Sequence, residues 1–92
     1  MVIAKNTHVK LKTFLGTSTP DENTKSRENY RKLIGEMGKV INYDEFDPKK
    51  VLVLFDKDLD NFWLENHNPI KNSLWIGKSD LDYKETNILH LL

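Results

Sequence analysis

Three aspartates at alternate positions, Asp56, Asp58 and Asp60, are the residues of this chain whose type and spacing come closest to a recognisable chemistry. That spacing opens an EF-hand calcium loop, in which hard carboxylate oxygens converge on one cation. The rest of the loop is missing. Its sixth position is Asn61 where the sharp turn needs glycine, and its twelfth is His67 where a bidentate glutamate should close the cage. The carboxylates therefore read as a solvated acidic turn, with no metal site. His67, flanked by Asn66 and Asn68 and close to Glu65, could move a proton or act as a pH switch. Nothing completes such a site: there is no cysteine and no Gly-x-Ser-x-Gly elbow, and His8 and His90 stand near the two ends without ligand spacing. The competing reading of His67 is a turn residue whose ring hydrogen-bonds backbone. No catalytic residue is assigned and no cofactor is called for.

The aromatic residues offer a different chemistry. Trp63 and Trp75, with Phe62, Tyr43 and Phe46, make up most of the aromatic surface a binding groove would need, and such side chains dominate interface energetics. A tryptophan in a small domain equally supplies core volume. Phe62-Trp63, beside a polar turn, is the pair expected at the surface. Lys10, Lys12, Lys49 and Lys50 form short basic clusters, but Asp44, Glu45, Asp47, Asp56, Asp58 and Asp60 surround them with acid. Fourteen basic residues balance fourteen acidic ones across the chain, so no global field attracts nucleic acid or an anionic membrane. The acidic stretches point instead to a protein partner with a basic surface.

The elements that must position these residues are those of one small domain. Ninety-two residues, 38% hydrophobic and 30% charged, allow one modest core and no second one. The absence of cysteine fits a reducing compartment, the cytoplasm. The N-terminus carries no apolar run of signal-peptide length, and no stretch approaches the roughly 20 apolar residues that span a bilayer. His8 to Lys12 alternates as a half-buried strand does, with Val9 and Leu11 on one face. A long polar loop follows from Gly16 to Arg27. Asn23, Thr24 or Ser26 then caps a predicted short helix, with Tyr30, Leu33 and Ile34 on one side and Gly35 ending it in the left-handed conformation. Val40 to Tyr43 reads as a strand, and Asp44 to Pro48 as a turn. Val51 to Phe55 is apolar on both parities, which marks a central strand covered on both sides. Ser73 to Ile76 is a short strand, Gly77 permits a sharp bend, and Ser79-Asp80-Leu81 suits one tight helical turn. The segment from Tyr83 closes on Ile88, Leu89, Leu91 and Leu92.

Gly38-Lys39-Val40-Ile41, a charged turn, Val51-Leu52-Val53-Leu54-Phe55, and Leu74-Trp75-Ile76 followed by Ser79-Asp80-Leu81 together resemble the SH3-like barrels of the KOW and related bacterial type. The resemblance implies five short strands in a barrel and a role in binding protein, RNA or a larger enzyme. The expected fold is thus mainly β: a single SH3-like five-stranded barrel over residues 1–92, core about 8–83, whose long first loop carries the short helix. An apolar strand or tail over 84–92 would either dock on the barrel or contact another subunit. The expected function is a non-catalytic protein-binding module of the bacterial cytoplasm, with an immunity or inhibitor protein that blocks a basic cleft as one concrete form. Tyr43, Asp56, Asp58, Asp60, Phe62, Trp63, His67 and Trp75 are the candidate partner-binding residues. The alternative is an RNA- or ribosome-associated barrel, for which Lys10, Lys12, Lys39, Lys49 and Lys50 would have to gather on one face. A small enzyme using His67 with Glu65 is a third class.

Overall fold

Alternating apolar residues in the described part of the chain build one antiparallel sheet. The structure is a computed structural model that describes residues 3–84. Its strands are β1 (His8–Leu11), β2 (Met37–Tyr43), β3 (Lys50–Phe55), β4 (Ser73–Gly77) and β5 (Leu81–Asp82). They lie in the order β4-β3-β2-β1-β5, so β2 is the middle strand and β3 its neighbour. The sequence expectation of β3 as the central strand is corrected by one place. Its apolar residues on both parities are nonetheless explained, since β3 is paired on both edges and nearly buried on both faces.

The sheet is not closed into a barrel. β5 pairs with β1 through Lys10↔Asp82 and Leu11↔Leu81, and no ladder joins it to β4. The connection supplies the reason. A three-residue 3-10 turn, Lys78–Asp80, follows β4, and the two-residue β5 commits directly to β1. Among the described residues no strand follows β5 to pair with the free edge of β4.

Pairing register assigns the faces. Val9, Leu11, Val40, Val51, Val53, Phe55, Leu74, Ile76 and Leu81 share one hydrophobic cluster, which Ile3, Tyr30, Leu33, Leu59 and Leu64 complete from the connections. Burying each of the larger aliphatic side chains is worth about 1.5–3 kcal/mol. Leu52, whose register partners are Asn42 and Trp75, points to the other side of the sheet. It is buried there, outside the main cluster. Gly38 permits the close approach of β2 and β3: a Cβ at this position would lie 2.6 Å from the Leu54 carbonyl oxygen. A bulge between Val40 and Asn42 then shifts the register of the same pair.

The predicted helix over residues 28–34 is replaced by two 3-10 turns, Ser26–Glu28 and Tyr30–Leu33, broken at Asn29. No side chain caps either turn, and one or two uncapped turns cannot sustain an α-helix without tertiary help. Packing selects the tighter geometry, because residues three apart eclipse on a 3-10 turn. Tyr30 and Leu33 are accordingly the two residues it buries. Gly35 adopts the expected positive φ, 93°, and its N–H donates to the Leu11 carbonyl at 2.7 Å. The apolar residues Ile88, Leu89, Leu91 and Leu92 lie outside the described residues. Among the described residues no helix is long and apolar enough to cross a membrane.

Candidate functional site

The β3–β4 connection carries most of the candidate binding residues on a tightly anchored corner. Asp58 caps the 3-10 turn Leu59–Phe62, its Oδ1 accepting from the Asp60 N–H at 2.9 Å. The Leu59 N–H donates to Asn72 Oδ1 at 2.9 Å and the Leu64 N–H to the Leu59 carbonyl at 3.1 Å. Leu59 and Leu64 are both buried, so the turn is pinned to the core at its two ends. Between them Trp63 sits in the left-handed region at φ 58° and is 78% exposed. Phe62, beside it, is half-buried against the core. Of the adjacent pair expected at the surface, Trp63 is therefore the exposed member.

The acidic turn is compensated within the chain. Lys71 Nζ lies 3.4 Å from Asp58 Oδ2 and 3.0 Å from Asp60 Oδ2. The Asp60 backbone N–H, aided by Lys71, holds the Asp58 carboxyl below the usual carboxylate range. Hydrogen bonding to Asp60, with the charges of both aspartates, raises Lys71 in turn. Asp58 and Asp60 thus converge on a lysine. Asp56 is exposed and forms no ion pair among the described residues.

The remaining candidates are dispersed. His67 Nε2 stands 3.7 Å from Glu28 Oε1, and its ring meets Tyr30 edge-on at 6.5 Å. Glu65, its expected catalytic partner, pairs instead with Arg27 at 3.0 Å. The local polar work of this turn falls to the neighbouring asparagines: Asn66 Oδ1 accepts from the Asn72 N–H at 2.7 Å, and Asn68 Nδ2 donates to the Ser73 carbonyl at 2.8 Å. Trp75 is 38% exposed on the outward face of β4, opposite Leu52. Tyr43 stands in the row of Val51 and Ile76, on the opposite face, and its hydroxyl donates to the Ile3 carbonyl at 2.7 Å. Asp58, Asp60, Phe62 and Trp63 therefore share a corner that Tyr43 and Trp75 do not join. Phe46, at the β2–β3 turn, is exposed as well.

A second feature escaped the sequence reading. Asp80 is the one charged residue buried among those described, at 5% exposure. Its Oδ1 accepts from the Thr13 hydroxyl and from the Gly16 N–H at 2.9 Å, while its carbonyl accepts from the Lys12 N–H at 2.9 Å and the Thr13 N–H at 3.4 Å. One aspartate thus ties the start of the first loop to the β4–β5 turn. The approach is close on its other side too, since a Cβ on Gly77 would lie 3.2 Å from Asp80 Oδ2. A glycine at the end of one apolar strand, with an acid three residues on and entering the next, is the signal that could have found it.

The clamp borders a cleft of about 950 Å³ at the open seam of the sheet, between the β2–β3 turn and the β4–β5 turn. Four lysines line it, Lys12, Lys49, Lys50 and Lys78, against two aspartates, Asp47 and Asp82.

The chain matches no family model, no curated protein and no solved structure. A fold alone does not carry a function, and the Trp63 corner and the lysine-lined cleft are the two surfaces of this one that could.

Proposed function

We propose that the protein is a non-catalytic protein-binding module whose recognition anchor is Trp63. The observation that carries this reading is the left-handed, 78% exposed tryptophan on a corner pinned by Leu59 and Leu64. A non-glycine residue in that region costs about 1–2 kcal/mol. An exposed tryptophan also forgoes the burial that would reward its size. Strain of this kind, held by a well-determined surround, collects at binding sites, and tryptophan is enriched among the residues that dominate interface energy.

In this reading the five short antiparallel strands and the 3-10 turn before the last of them belong to an SH3-like domain of the KOW-related type. An immunity or inhibitor protein is one concrete form. Lys71 neutralises much of the acidic turn, so affinity comes mainly from the tryptophan and only secondarily from Asp56, Asp58 and Asp60. The RNA-associated alternative gains less support. Of the five lysines it needs, Lys12, Lys49 and Lys50 line the cleft and Lys10 and Lys39 do not.

The test is a nuclease-treated pull-down from source cells with the tagged protein and its Trp63→Ala variant. A stoichiometric protein partner retained by the parent and lost from the variant is expected. A partner held equally by both would remove Trp63 as the anchor, and a complex lost on nuclease treatment would favour the RNA-associated form.

A further inference from the structure

We propose that the cleft at the open seam of the sheet binds a phosphate ester of mononucleotide size, its phosphate held by lysines and its organic part laid against Pro48 and Tyr83. The cleft lies in the size range of small-molecule sites, at about 950 Å³. Lys12, Lys49 and Lys50 face Asp47 and Asp82 across it, so cations outnumber carboxylates even with Lys78 left aside. Lysines bind phosphate as point charges.

The lysines differ in their pairing. Lys57 is paired with Glu36, and Lys71 with Asp58 and Asp60. Lys12, Lys49 and Lys50, in contrast, form no ion pair among the described residues. Three lysines without an ion pair therefore stand together on one concave surface. Asp47 is already engaged, its Oδ1 accepting from the Lys49 N–H at 2.9 Å.

The walls are also held in place before any ligand arrives. The Lys78 N–H donates to the Lys49 carbonyl at 2.8 Å, which joins the β2–β3 turn to the β4–β5 turn. Asp80 fixes Lys12 beside that same turn through the Lys12 N–H at 2.9 Å. Backbone preorganisation of this kind lowers the ordering penalty of binding. Ser79 adds a hydroxyl to the lining, and Pro48 and Tyr83 supply apolar surface on which a flat organic group can rest. The site lies on different residues from the Trp63 corner, so it stands or falls independently of the protein-binding reading.

The experiment is an amide NMR titration of the full chain with adenosine 5′-monophosphate, with inorganic phosphate, and with a single-stranded RNA of about twelve nucleotides. The proposal expects saturable shifts from the nucleotide at Lys49, Lys50, Lys78 and Ser79, and weaker binding of phosphate at the same amides. The exposed pair Lys49→Ala with Lys50→Ala should weaken nucleotide binding by about tenfold or more, while Trp63→Ala leaves it unchanged. No saturable shift, or binding indifferent to the two lysine substitutions, overturns the proposal. Phosphate binding as tightly as the nucleotide overturns it too, because the organic part would then contribute nothing. RNA binding at least about tenfold tighter, with shifts reaching Lys10 and Lys39, would replace the small ligand with a polymer.

Discussion

Replacing the buried Asp80 by alanine should destabilise the fold well beyond an ordinary surface substitution. The carboxylate oxygen Oδ1 accepts from the Thr13 hydroxyl and the Gly16 N–H, and a hydrogen bond to a charged group contributes about 1.5–3 kcal/mol. The two bonds share one oxygen, and Gly16 is exposed enough for water to replace its partner. A combined loss of about 2–4 kcal/mol follows. With a urea slope of about 1–3 kcal/mol per molar for a small domain, the midpoint should fall by about 0.7–4 M. Urea unfolding followed by tryptophan fluorescence measures it. Asp80→Asn keeps a carbonyl acceptor at the same place and should lose less than the alanine variant, since the bonds cease to be charge-assisted. Thr13→Val, made in both backgrounds, isolates the hydroxyl contribution through a double-mutant cycle. A change below about 0.5 kcal/mol for Asp80→Ala, the range of ordinary surface substitutions, would refute the clamp. Amide exchange at residues 12–16 gives an independent reading: protection there should drop in the alanine variant even where global stability still suffices.

Trp63→Gly should raise stability by about 1 kcal/mol, because glycine occupies the left-handed region without the side-chain penalty, yet abolish partner binding; unfolding and pull-down measured on the same variant check both, and a destabilised variant would show that the exposed ring contributes contacts to the fold. The Asp58 carboxyl, lowered first by the Asp60 N–H and then by Lys71, contributes stability that is fully present above the ordinary value of 3.8 and is lost as pH falls below it through the folded value. In Lys71→Ala, carbon-detected NMR titration should therefore find Asp58 still lowered, with only the lysine part removed; a return to the ordinary value would contradict the primacy of the backbone bond.

Much of the sheet was legible in the sequence because strand formation here follows a local pattern. Val9 and Leu11 alternate with polar neighbours and face the core as that alternation requires. The run Val51–Phe55 announced a strand covered on both sides, and Leu52 under Trp75 shows why both parities are apolar. Gly35 announced its positive φ. Of the candidate site, the exposure of Trp63 was legible from the polar turn around it. What was not legible was grouping: Tyr43 and Trp75 stand on opposite faces because a bulge and a pairing register, both set by partners remote in sequence, decide which way each side chain points. The acidic turn read as a field for a basic partner because Lys71, eleven positions beyond Asp60, gives no sign in the sequence of folding back onto it.

The sequence by itself determined the local terms: four runs of strand length, the turns between them, and the glycines at Gly35 and Gly77 that allow a left-handed bend or a close approach, whereas β5, only Leu81–Asp82, carries no such run. Tertiary structure alone decided the long-range ones. It chose 3-10 turns over a helix because burying Tyr30 with Leu33 outweighs a marginal local preference, and it left the sheet open because β5 pairs with β1 directly after a three-residue turn. It also buried Asp80 and brought Lys12 together with Lys49, Lys50 and Lys78 around one cleft. Hydrophobic period and turn chemistry act within a few residues and can be read along the chain. Charge convergence and edge pairing join residues far apart in sequence, and only the folded chain sets their distances.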